Sequence, residues 1–193
     1  MDLKGFLSEK REAVLKRWLD SVLSTYPQQT AEFLKNRKDQ LANPVGRIIA
    51  DGISGMFDLL VARLGSPVAE ARAGELGGFL ENLVKVRAVQ DFSASGAVGF
   101  IFSLKKAVRA EIVALGEDGL ELSADLDAFD EGVDRLALAT FDAYAKCREK
   151  IFELKTAEIR NATFSLLRRA NLVIDTGEDN GNGGSKKIPK TRE

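Results

Sequence analysis

From Ser123 to about Leu172 the chain runs without a proline, and this stretch constrains the fold more than any other. Leu122, Leu126, Phe129, Val133, Leu136, Thr140, Ala143 and Cys147 follow alternating steps of four and three, the spacing of a helix with one buried seam. A helix of roughly 50 residues would measure about 75 Å, more than a small domain can cover. Its distal half must therefore project or find a partner. Asp125, Asp127, Asp130 and Glu131 suit the positive end of such a helix, and Arg168 and Arg169 the negative end.

The rest of the chain repeats the helical period. Leu3, Phe6, Leu7, Val14, Leu15, Trp18, Leu19, Val22 and Leu23 mark a first helix that ends near Tyr26-Pro27. A short piece from Thr30 to about Leu41 leads to Asn43-Pro44, a capping residue followed by proline at the first helical position. The helix opened there carries Val45, Ile48, Ile49, Ile53, Met56, Phe57, Leu60 and Leu64 inward, weakened locally by Gly52 and Gly55, with Gly65 as its C-terminal cap. Ser66-Pro67 repeats the start signal for a helix bearing Leu76, Phe79, Leu80, Leu83 and Val84, which Gly77-Gly78 would bend. Ser93 caps a fifth helix with Ala97, Phe100, Ile101, Leu104, Val108 and Ile112 inward, before a turn at Gly116 to Gly119. The expectation is an all-α bundle of five to six helices with a long projecting C-terminal helix.

Composition removes most chemistries. The 193 residues include no histidine and one cysteine, with 45% hydrophobic and 30% charged side chains, which is an ordinary soluble composition. Without histidine there is no Ser-His-Asp or Cys-His arrangement, no proximal-histidine haem ligation and no Cys/His zinc site. The run Asp125 to Glu131 imitates a calcium loop, but its fifth position is Phe129, its sixth lacks glycine and its twelfth is Leu136. Glycines 74, 77 and 78 form no phosphate-binding fingerprint. Ser95, Gly96 and Gly99 suit close approach of a neighbouring helix. Lys105, Lys106 and Arg109 read as a solvated face by default, with an anion site the alternative, and the tail's KKIPKTR as a solubilising end rather than a nucleic-acid arm. Cys147 is either a packing thiol on the seam or a lone nucleophile, and the seam favours packing. A formal net charge of −1 offers no field for nucleic acid. No apolar run reaches the length of a membrane span, and the charged N-terminus does not read as a signal peptide, so the chain is expected in the cytoplasm, without membrane insertion.

One polar cluster stands apart. Arg87, Gln90 and Asp91 lie where one apolar helix ends and the next begins. Such a cluster is either a capping and ion-pair cluster that fixes the interhelical corner or a ligand or signal site. With Lys105, these are the candidate ligand or interaction residues.

RAVQDFSASGAVGFIFSLKKAVR at 87–109 and FDAYAKCREKIFELK at 141–155, with weaker support from Trp18 and NPVGRIIADGI at 43–53, give the chain a family likeness. It resembles the RsbRD-type N-terminal domain, the helical input module of the RsbT co-antagonist family in bacterial stress signalling, from about Leu7 to Glu158. The resemblance implies a non-enzymatic regulatory or sensory module, normally joined through a connecting helix to an output domain such as a STAS domain or a kinase. Here only a tail follows, so the expectation is a stand-alone copy that binds a protein partner, pairs with a full-length relative or senses a small ligand. A better-known paralogue resembles a globin without haem, which makes a haem-free globin-like topology one expectation and implies no cofactor and no metal. The alternative is a small-ligand-binding protein or enzyme using a carboxylate or Cys147 pocket.

The expected division is a domain over 1–158, a helical extension over 159–175 and a disordered tail over 176–193. Ile159, Ala162, Leu166, Ala170 and Val173 continue an apolar stripe after the domain should have ended. A homodimer formed through this helix is expected, a parallel pair suiting a module that passes signals to a C-terminal output. A kink near Thr156 that folds the helix back is the alternative.

Overall fold

A computed structural model describes residues 2–35, 43–64, 73–90, 92–115 and 123–170, with side chains described over these spans except at 73–77 and 123–124. All regular structure among the described residues is helical. In chain order the helices are α1 (Leu3–Glu9), α2 (Arg11–Leu23), α3 (Gln28–Lys35), α4 (Pro44–Arg63), α5 (Ala73–Val89), α6 (Ala94–Gly99), α7 (Ser103–Val113) and α8 (Ser123–Arg169), with a 3₁₀ turn at Phe100–Phe102 between α6 and α7. The expected Gly65 cap, Ser66-Pro67 start, Gly116 to Gly119 turn, Val173 and the 176–193 tail lie outside the described residues.

The six expected helices are present, two of them in pieces. The first breaks at Lys10 because the positions that would continue the apolar face are Lys10 and Arg11. The break leaves Leu3, Phe6 and Leu7 buried while Val14, Trp18 and Val22 enter the core from α2. It also frees Arg11 to reach α4, where it makes two 2.8 Å hydrogen bonds to the Asp58 carboxylate and one of 2.6 Å to Ser54 Oγ. The fifth helix tightens at Phe100–Phe102. The Phe100 carbonyl there accepts from Trp18 Nε1 at 2.9 Å and from Ser103 Oγ at 2.6 Å, and side-chain donors inserted into the ladder favour a local 3₁₀ turn.

Helix α4 is the central strut. Asn43 Oδ1 accepts from Gly46 N at 2.9 Å, while Asn43 Nδ2 donates to the Phe33 and Leu34 carbonyls at 3.0 Å each, so one side chain caps α4 and ties down the end of α3. A Cβ on Gly46 would stand 2.5 Å from the Leu34 carbonyl, which requires glycine for the close approach. Gly55 serves α5 in the same way: a Cβ there would lie 2.6 Å from the Phe79 ring. Helix α5 runs unbroken through Gly77-Gly78.

The core gathers Phe6, Trp18, Ile49, Met56, Phe57, Leu83, Ile101 and Phe129, each under 2% exposed. α8 contributes Phe129, Val133, Leu136, Thr140 and Tyr144. The expected seam holds as far as Thr140 and then shifts, because a 3.6-residue helix drifts about 20° per heptad from a 3.5-residue line. Tyr144 takes the buried place, leaving Ala143 and Cys147 half-buried. Cys147 is therefore a rim thiol packed against the core, not a sealed one. The chain divides into two compact units, Met1–Phe152 and Glu153–Glu193. The first holds this core. The described part of the second is helical to Arg169, and its side chains are exposed except for half-buried Ala157.

The Asn43 cap gives a test. Asn43→Ala removes the cap and strands two carbonyls, and should lower unfolding free energy by about 2 kcal/mol in urea titrations followed by circular dichroism. Arg47→Ala, one turn away and exposed, should stay within about 0.5 kcal/mol of the parent.

Candidate functional site

Leu80, Leu83 and Val84 form the buried line of α5, and Arg87, four residues after Leu83, is placed by helical geometry on the same line. Its side chain is 0% exposed. Moving a cation out of water costs several kcal/mol unless partners replace the lost hydration. Nη1 donates to the Gly96 carbonyl at 2.7 Å and Nη2 to Thr25 Oγ1 at 3.1 Å. Three aromatic rings cover the guanidinium, with Cζ 4.5 Å from the Phe100 centroid, 4.7 Å from Phe92 and 5.5 Å from Tyr26. Nε is buried without a hydrogen-bond partner among the described residues, and no ion pair forms between Arg87 and a described carboxylate.

Local structure explains why the cage closes. The Phe92 N–H donates to the Arg87 carbonyl at 3.3 Å and ends α5. Ser93, extended in backbone, accepts from Gly96 N at 3.1 Å and starts α6. This turn carries Phe92 over the guanidinium and packs it edge-on to Tyr26, the centroids 5.1 Å apart. Trp18 stacks on Phe100 at 6.3 Å and holds its carbonyl. Two residues of α8 close the outer side: Tyr144 donates its hydroxyl to the Phe92 carbonyl, and Arg148 Nη1 donates to the Ala88 carbonyl at 3.2 Å.

Burial lowers the Arg87 pKa, opposed by the Tyr26 hydroxyl, and raises that of Tyr26, opposed by the Arg87 charge. Arginine starts so far above neutrality that it stays charged. A cation sealed by rings has no access to substrate, so the arrangement suits a pin between helices rather than a reacting group.

The four candidate residues separate. Gln90 is exposed and accepts from the Tyr26 hydroxyl at 3.0 Å, joining the corner from outside. Asp91 lies outside the described residues. Lys105 belongs elsewhere, on α7, where it pairs with Asp134 of α8 at 2.6 Å and lies 6.0 Å from the Phe102 centroid. Sequence reasoning missed Thr25, Tyr26, Phe92 and Phe100 as the arginine's surroundings. The available signal was the register of Arg87 on the apolar line of α5. Among the described residues no cluster of three metal-ligating side chains occurs, and no helix is long and apolar enough to cross a membrane. A cleft of about 690 Å³ opens between α2, α3 and α4, and among the charged groups on its walls Lys35 pairs with Asp20 and Arg47 with Asp51.

Two outcomes test the pin. Arg87→Lys keeps the charge but loses the fork, and should cost about 3 kcal/mol or more. Arg87→Met fills the cage without a charge and should cost less, by urea midpoint. Tyr26 should ionise above its ordinary value of 10.0. A folded-state pKa raised in this way gives stability that is fully present below the ordinary value and is lost as pH climbs through the folded one. An absorbance titration near 295 nm should show a late component that Tyr26→Phe removes, with stability falling over the same alkaline range.

No curated protein and no solved structure matches the chain significantly. A family model does match: the RsbT co-antagonist protein RsbRD N-terminal domain, over residues 12–159. That span includes α2 to α7, the Arg87 corner and most of α8. With more than half its length matched, the chain belongs to the RsbRD N-terminal domain family of signalling regulators.

Proposed function

We propose that this protein is a non-enzymatic input module of bacterial stress signalling that works in the cytoplasm by binding protein partners, the first of them a second copy of itself. The observation that carries the reading is the bare apolar line on α8. Phe152, Ile159 and Leu166 recur at seven-residue intervals and are 71%, 67% and 65% exposed, and Ala162 and Ala170 are exposed beside them. At about 25 cal/mol per Å² of apolar surface, such a line favours cover, and a symmetric second copy is the simplest source. The regular interval is that of helices paired along their length. The Arg87 corner is the input end of this reading: Tyr144 and Arg148 fasten α8 to Phe92 and Ala88, so a change in how α5 meets α6 bears on α8.

A second reading, a small-ligand-binding protein, is favoured by the cleft between α2, α3 and α4. Native mass spectrometry of freshly purified protein separates the two. The module reading expects the mass of the polypeptide alone or doubled, and an absorption spectrum without a Soret band. A bound small molecule shifts weight to the second.

Sedimentation tests the pairing directly. The full chain should be dimeric at roughly 50 µM, while the joint change Ile159→Glu and Leu166→Glu should give a monomer with unchanged helical content. A monomeric parent, or a variant that stays dimeric, would defeat the reading.

A further inference from the structure

We infer that the groove between α5 and α8 is a docking site for an amphipathic helix of a partner protein whose apolar residues are flanked by aspartate and glutamate. The inference rests on the reading of this chain as a module that works through protein partners. The groove encloses about 560 Å³ and runs along α8 from Arg135 to Lys150, a length of roughly 22 Å or four helical turns. Its floor is apolar: Leu80 and Val84 of α5 face Leu136, Ala139, Ala143 and Cys147 of α8. The last three are small and four residues apart, so α8 leaves depth between the two helices where the side chains of a third can seat. A long trough with an apolar floor suits a helix laid into it, with anchors at i, i+4 and i+7.

The rim decides which helix. Arg63, Lys85, Arg135, Lys146 and Lys150 stand along it against Glu81 and Asp142. Lys85 is held by Glu81 at 3.4 Å and Arg135 by Glu131 at 2.7 Å. Arg63, Lys146 and Lys150 make no ion pair among the described residues. Lys146 and Lys150 are one turn apart on α8, a like-charge spacing that Asp142, one turn before Lys146, offsets only in part. Across an interface this excess selects an acidic partner, mainly through encounter rate and rejection of basic surfaces. The exposed end of α8 is unsuited to the groove, because Lys155, Arg160, Arg168 and Arg169 outnumber Glu153 and Glu158 there. The groove and the α8 stripe therefore call for different occupants.

The test uses the full chain and a phage-displayed library of helical peptides with leucine fixed at i, i+4, i+7 and i+11 and every other position random, panned at about 150 mM salt so that exposed charges are partly screened. The selected flanks should be enriched in aspartate and glutamate. By fluorescence anisotropy, the best peptide should bind at least about tenfold more weakly to Ala143→Glu and to the joint change Lys146→Glu and Lys150→Glu, a change of about 1.4 kcal/mol or more. Lys146 and Lys150 are exposed, so the charge reversal tests the groove even where Ala143→Glu unsettles the fold. Both variants should sediment as the parent does, and the Ile159→Glu, Leu166→Glu variant should still bind the peptide. No selected peptide, flanks without acidic excess, or binding unaltered by the lysine reversals would overturn the inference. Loss of the dimer in the groove variants would also overturn it, by making the second copy the occupant. Failure of the groove with the dimer intact leaves the pairing through α8 standing.

Discussion

The Arg87 guanidinium, buried among Tyr26, Phe92 and Phe100, is the interaction on which the arrangement of this helical body depends. Desolvating the cation costs several kcal/mol. Against that stand two charge-assisted hydrogen bonds, worth about 1.5–3 kcal/mol each, and ring contacts worth up to about 2 kcal/mol when desolvated. Gains and cost are of the same size, so net stabilisation is a poor explanation for the residue. Its distinguishing property is that the compensation arrives only when separate segments are correctly placed. Thr25 and Tyr26 follow α2, Phe92 lies in the turn after α5, Gly96 is in α6 and Phe100 begins the 3₁₀ turn. Withdraw any one and a buried charge is left short, which penalises alternative packings of the same helices.

The cage also bears on the longest helix. α8 is seated by an apolar seam, which alone would tolerate sliding by a turn, since Val133, Leu136 and Ala137 are interchangeable in kind. The Tyr144 hydroxyl and the Arg148 guanidinium meet backbone carbonyls at the corner, and such directional bonds fix the helix in register. The polar contacts of Lys105 with Asp134 and Arg109 with Asp130 add to this from α7, although exposed pairs contribute little energy.

Much of the fold was legible in the sequence because helices announce themselves locally. The Asn43-Pro44 start, the Ser93 cap and the run from Ser123 each depend on neighbours a few residues away, and each appears as expected. The breaks were harder. The sequence reads as one helix from Leu3 to Tyr26-Pro27, and the break at Lys10 is secured by a partner far along the chain, Asp58, 47 residues on from Arg11. The 3₁₀ turn at Phe100 depends on a donor 82 residues away, Trp18. The site was half legible for the same reason. Arg87 and Gln90 stand out in the sequence as polar residues at a corner, and the position of Arg87 on a buried line is local information. That its cage is aromatic is not, since Tyr26 and Phe92 meet only in the folded chain. Lys105 looked similar in sequence yet points to α8, because α7 turns that face toward Asp134.

The central claim is that the Arg87 cage holds α8 as well as the corner it occupies. Hydrogen exchange by mass spectrometry, comparing the parent with Arg87→Met under conditions where both are folded, tests this most directly. The account predicts faster exchange at the end of α2, at the start of α6 and in α8 around Tyr144 to Phe152, with the Asn43-capped start of α4 unchanged. Faster exchange confined to α5 and α6, with α8 as protected as in the parent, would contradict it.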